Sequence, residues 1–298
     1  VAALEGRHPT TAILLAVALL VGCGRNEPPE PDRLEPGATT VEVQDAEGRV
    51  VAFVSPPERI VSLVPSATHT LIELGVSDHL VGRTEYDTTA ALAGLHSVGG
   101  GLHPTLEILV ALEPDLVVRF AGQTDLETPA RLDDLGVAHL AVAPESVADT
   151  KGMILDLGRI VGRQGRATAL VETIDSVLAD IRLRVASLEP VRVAWVVGGD
   201  PPWVSGPGTY IDDLLSVAGG QNVFGDLGRL WAATSLEALF ARHPDLVLTA
   251  EGSGLDPRIS PRIPVRRVSP IVSLPGPDLP RAATEIAEAL RPGLFEGP

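Results

Sequence analysis

This 298-residue chain has a single cysteine, Cys23, and a single lysine, Lys151. A single cysteine rules out a disulfide within the chain. Basic residues number 23 against 39 acidic ones, for a formal charge of −16, and nearly all the positive charge is scattered arginine. Nucleic-acid binding needs clustered lysine and arginine, so no nucleic-acid partner is expected. Enzyme signatures are missing as well: there is no Gly-x-Ser-x-Gly elbow, no His-Glu-x-x-His helix and no Gly-x-x-x-x-Gly-Lys phosphate loop. Gly99-Gly100-Gly101 and Gly206-Pro207-Gly208 complete no dinucleotide fingerprint and read as turns. His69, His96, His103 and His139 fall in the first half and His243 in the second, with no close pair to start a zinc site. Aromatics make up only 3% of residues, so the place of each one carries weight.

What is present is the composition of a folded protein: 45% hydrophobic and 21% charged residues, over a length sufficient for two domains. The apolar run from Ala12 to Gly22 follows Arg7 and His8 and stops at Cys23. It falls short of the ~20 residues a spanning helix needs and reads as the core of a signal peptide. Leu20-Val21-Gly22-Cys23 resembles the bacterial lipobox. That resemblance implies a lipoprotein-type signal peptide over 1–22, acylation of Cys23, and a Pro- and Glu-rich tether over 23–38. The protein would then work outside the cytoplasm, held to a membrane by its lipid. A buried free cysteine after a chance apolar helix is the competing reading.

Beyond the tether the pattern alternates. Val41–Val43 and Val50–Val54 flank Asp45-Ala46-Glu47-Gly48 as a hairpin. Apolar runs at Arg59–Val64, Leu80–Gly82, Leu116–Phe120 and Ala138–Val142 read as buried parallel strands with helices between them. From Ser146 to Leu188 strand signals stop, and Thr168–Leu188 carries apolar residues at helical spacing, a rod of roughly 30 Å. Val191–Val197 opens a second strand-first unit. That unit repeats the first: Thr105–Val117 and Ser235–Val247 share Leu, Glu, Leu, Ala, Pro-Asp, Leu and Val at one offset. The expected fold is α/β: two Rossmann-like lobes with parallel sheets, 39–146 and 190–298, joined by one long backbone helix in the helical segment 147–189.

These segments, with Arg59–Thr68, Gly82–Asp87, Gly101–Val118 and Ala218–Asp226, resemble the periplasmic binding proteins whose lobes are joined by a rigid helix. That group serves vitamin B12, haem, siderophore and some metal importers. The second lobe is most similar to the vitamin B12 type, through Asp200-Pro201-Pro202-Trp203-Val204-Ser205-Gly206 and Trp231. The resemblance implies a monomer, not an enzyme, that captures a corrinoid and passes it to the permease and ATPase subunits of an ABC importer, with no cofactor besides the carried cobalamin or iron chelate. A ferric siderophore or haem carrier is the alternative within the family, and an extracytoplasmic zinc- or manganese-chelating protein the alternative outside it. Tyr86, Phe120, Trp203 and Trp231 are the expected ligand contacts, since flat apolar ligands suit aromatic faces. Core packing competes for each of them, while Trp195, inside a strand, is assigned to the core. Glu107 and Glu237 are the expected permease-docking residues, against a helix-start role in which Thr234–Glu237 forms a capping box. The family's first-lobe aromatic falls at Gly100-Gly101 here, and its glutamate after Pro-Ser-x-Thr is His69, which reads as a surface histidine.

Overall fold

In the computed structural model of the chain the described residues are 40–122 and 125–295. The signal-peptide and tether expectations, and Cys23, lie outside them. No helix among the described residues is long and apolar enough to cross a membrane. The hairpin forms as expected: β1 (Val41–Gln44) pairs antiparallel with β2 (Val50–Phe53) around a turn in which Gly48 has φ 80°.

The first lobe alternates strand and helix through β3 (Ile60–Ser62), α1 (Pro65–Glu73), β4 (Leu80–Arg83), β5 (His96–Ser97), α2 (Leu106–Ala111), β6 (Leu116–Phe120), α3 (Glu127–Asp134) and β7 (Ala138–Val142). The strands form one parallel sheet in the order β5-β4-β3-β6-β7. Its apolar runs reflect burial on both faces. Ile60, Leu116 and Val118 join one hydrophobic cluster, while their neighbours Val61 and Val117 face another with Leu109 and Leu132.

Two helices, rather than one, fill the segment between the lobes. Ser146 starts α4 (Val147–Ile160) with a reciprocal capping box to Asp149, and Gly162 (φ 67°) turns the chain into α5 (Gln164–Val185). Only α5 is a strut. At its start Arg166 bonds the Glu73 carbonyl of the first lobe; at its end Val185 packs on Gly219 of the second. Its 22 residues span about 33 Å. α5 begins and ends a few residues earlier than the apolar spacing over Thr168–Leu188 suggests, and α4 is a separate helix within the same helical segment.

The second lobe contains β8 (Val191–Gly198), β9 (Trp203–Ser205), α6 (Tyr210–Val217), β10 (Gly220–Asn222), β11 (Trp231–Ala233), α7 (Leu236–Ala241), β12 (Leu246–Ala250), β13 (Val265–Val268) and α8 (Leu279–Leu290). β10, β8, β12 and β13 are parallel, and the antiparallel β9–β11 ribbon extends the sheet beyond the far half of β8. The internal repeat is real in three dimensions. α7 and β12 begin 130 residues after α2 and β6, and each copy ends its helix on a non-glycine residue with positive φ, Glu113 (46°) and His243 (48°). Arg59 and Arg192 donate to the carbonyls around these turns, and Asp115 and Asp245 accept the backbone N–H of Arg59 and Arg192 at 3.0 and 2.9 Å. A single hydrophobic core then runs from Leu71 and Ile60 through Ile174, Leu178 and Ile181 of α5 to Trp195 and Ile211.

Candidate functional site

In open parallel sheets the crevice lies beyond the carboxyl ends of the strands. Both lobes turn those ends toward their common seam. Pro65 and Ser66 follow β3, Phe120 ends β6, Pro144 and Glu145 follow β7, Val197 is near the end of β8, and Ser273–Pro275 follow β13. With Trp195, Tyr210 and Trp231 they enclose a cavity of about 400 Å³. That size suits a small-molecule site.

The aromatic walls come from opposite sides. Phe120, from the first lobe, is 36% exposed. Trp231 and Tyr210, from the second, stand 6.3 Å apart at an interplanar angle of 54°. Tyr210 is buried, and burial followed by the nearby Glu145 carboxylate pushes its hydroxyl far up, so it stays neutral. Glu145 Oε2 accepts the Trp231 indole N–H at 3.3 Å. Phe120 is held from below. Arg119 donates to the Phe120 carbonyl at 3.0 Å and to both oxygens of Glu47, and Glu47 Oε1 also accepts the Gly122 N–H. That arginine lowers the Glu47 carboxyl to about 2. Buried His139 completes the clamp: its Nδ1 accepts from Arg119 and Arg49, and its Nε2 lies 3.0 Å from Asp133.

A second cavity, about 500 Å³, lies beside the first and shares Pro65, Ser273 and Leu274 with it. Its walls include Tyr86, His69, Ile72, Leu92, Ile271 and Asp278. Tyr86, 65% exposed, therefore faces the seam but not the cavity of Phe120 and Trp231. His69 is half-buried rather than free on the surface: its Nε2 sits 3.4 Å from Asp278 of the other lobe, and its Nδ1 is buried with no hydrogen-bond partner among the described residues.

Trp203 departs from expectation. It is 49% exposed and lines neither cavity. The register pairs Trp203 with Ala233 and Trp231 with Ser205, so both indoles share a face of the ribbon while Trp203 lies two residues further along. Trp195, assigned to the core, is buried yet its edge forms part of the cavity wall. Gly101 explains the missing aromatic: a Cβ there would meet the Leu63 carbonyl oxygen at 2.1 Å. Tyr210 and Glu145 went unnoticed; Pro144-Glu145 directly after a strand end is the signal that would have found the second.

Glu107 and Glu237 are both exposed, each the second residue of its helix. α2 and α7 run back along their sheets, so these starts lie on the carboxyl edges that border the seam. The capping box does not form. Ser235 rather than Thr234 is the cap and accepts from Ala238 N, while Thr105 makes no such bond. The Glu237 carboxyl is held below the usual range by its own backbone N–H and then by Ser235. Among the described residues no group of three or more His, Cys, Asp and Glu side chains converges as a metal site.

Two repeated α/β lobes, one stiff strut and a cavity at facing strand ends define a two-lobed solute-binding protein. Residues 60–260 match the periplasmic binding protein family, and the chain belongs to it. It is therefore a substrate-binding component of an ABC transport system that works outside the cytoplasm with a permease and an ATPase, and not an enzyme. Among curated relatives, an uncharacterized ABC transporter substrate-binding lipoprotein of Bacillus subtilis is 28% identical, over 96% of this chain and 97% of its own length. A cobalamin-binding protein of Halobacterium salinarum is 28% identical over 82% of this chain and 69% of its own. Among solved structures, the apo form of a periplasmic heme-binding protein from Roseiflexus sp. RS-1 has a TM-score of 0.68 at 25% identity, covering 78% of this chain and 97% of that one.

Proposed function

We propose that this protein binds a corrinoid of the vitamin B12 type between its lobes and delivers it to the importer. The observation that carries the reading is the 400 Å³ cavity walled by Phe120 from one lobe and by Trp231 and Tyr210 from the other. Each aromatic face can bury part of a flat macrocycle. Among the described residues the cavity lining contains no lysine or arginine, and its one charged side chain is the carboxylate Glu145. Haem carries two propionates and a ferric catecholate is anionic, so both would be repelled here. A corrin rimmed with neutral amides would not. The cobalamin-binding relative from Halobacterium supports the same choice.

In this reading Glu107 and Glu237, one on each lobe, dock against basic residues of the permease, and acylated Cys23 holds the protein to the membrane. Such rim charges set orientation and association rate more than affinity for the cargo. Calorimetric titration with cyanocobalamin is expected to show one site per chain, with the double variant E107A/E237A binding as wild type does but stimulating the importer's ATPase less. Absence of both heat and thermal shift at high micromolar cyanocobalamin would rule out the corrinoid.

A further inference from the structure

Glu145 is a carboxylate in the wall of a mostly apolar cavity whose lining, among the described residues, holds no cation to balance it. The residue is half-buried and stands among apolar and aromatic side chains, a setting that would be lined as well by a neutral residue, so its charge calls for a reason. Helix capping is not that reason, because Ser146 and Asp149 complete the cap of α4 by themselves. Nor does the seam need its charge. The backbone carbonyl of Glu145 accepts the Tyr210 N–H, and the next contact across the seam is Val147 N donating to Asp213 at 2.9 Å, neither of which uses the side chain. Among the described residues the side chain makes one bond, through Oε2 to the Trp231 indole at 3.3 Å. Its other oxygen, Oε1, has no hydrogen-bond partner among the described residues, and the residue is half-buried in the cavity wall.

We infer that Glu145 determines specificity at this site: Oε1 accepts an N–H from a peripheral carboxamide of the ligand, and its charge turns away ligands that present a carboxylate there. The inference rests on the corrinoid reading for the identity of the amide, but the selection against anions stands on the cavity alone. A hydrogen-bond donor meeting a carboxylate gains a charge-assisted bond, whereas a second carboxylate meets repulsion. Because Oε2 also orients Trp231, the same residue fixes the aromatic wall against which the ligand lies.

The test compares cyanocobalamin with its monocarboxylic acids, in which one peripheral amide is hydrolysed, on wild type and on Glu145→Gln. Glutamine keeps an acceptor for Trp231 and removes the charge. Wild type should bind at least one of the acids about ten-fold or more weaker than the amide, and E145Q should shrink that ratio to within about three-fold. Thermal unfolding of E145Q close to wild type shows that the change is local. Equal wild-type binding of amide and acids, or an unchanged ratio in E145Q, would overturn the inference while leaving the corrinoid reading intact. If wild type binds no corrinoid, that reading fails and the charge selection is read with haemin and its dimethyl ester instead. The ester should then be preferred by wild type and the preference lost in E145Q; any other result overturns the inference too.

Discussion

At the scale of single residues, the site depends on side chains that hold other side chains. Phe120 reaches the cavity because Glu47, in the β1–β2 turn, grips Arg119 on one side of it and the Gly122 N–H on the other. His139 serves this clamp only as a neutral ring, since Nδ1 accepts from two guanidinium groups. Burial first, and then the arginines against the opposing pull of Asp133, lower its pKa from the usual histidine value. Both groups therefore act in the same direction. A folded pKa below the unfolded one contributes stability above the unfolded value and loses it as pH falls through the folded one. For His139 that loss begins below pH 6.5, and for Glu47 it runs from about 4.5 down to about 2. Thermal unfolding from pH 7 to 3 should show the melting temperature falling, with E47Q less stable than wild type at pH 7 and the gap closing toward pH 3. A gap constant across that range would contradict the clamp. None of this was legible beforehand, because Glu47, Arg119 and His139 are scattered along the sequence and meet only once the hairpin docks on β7. The aromatics were partly legible: residue type and strand ends pointed to Phe120 and Trp231, but how far along the β9–β11 ribbon Trp203 would lie depends on register, which no local pattern states.

At the scale of elements, burial explains both what could be read and what could not. Strands β6 and β7 fall where their apolar runs end, because both sheet faces are covered and every position is selected for hydrophobicity. The helical segment between the lobes was harder. α4 and α5 both carry buried residues at helical spacing, and the break between them is marked only by Gly162. Their close crossing depends on a second glycine. A Cβ on Gly158 would lie 2.3 Å from the Cβ of Ala167, so the helices could not approach as they do. Gly158→Ala should cost about 1–3 kcal/mol in urea unfolding, because the extra methyl must push the helices apart. Gly152 lies in the same helix with open space beyond it, and G152A should be neutral or stabilising by contrast. Equal stability of G158A and wild type would mean that the α4–α5 pair repacks freely and that α5 is less fixed than its contacts imply.

At the scale of the whole molecule, the internal repeat is the feature the sequence carried most clearly. Its physical basis is the paired Arg59–Asp115 and Arg192–Asp245 networks, which fasten the same helix, turn and strand in both lobes. The lobes share one hydrophobic core through α5, so opening the seam widely would expose buried side chains; closure on a ligand should be small. The ligand therefore meets walls already in place, and the central claim concerns which walls those are. Titration of cyanocobalamin into wild type, F120A, W231A and W203A tests it most directly. Loss of Phe120 and loss of Trp231 should each weaken binding by about 2 kcal/mol or more, roughly thirty-fold, with melting temperatures near wild type, while W203A should bind within about three-fold of it. Wild-type affinity in both F120A and W231A, or a larger loss in W203A than in either, would contradict a ligand held between the two lobes at this cavity.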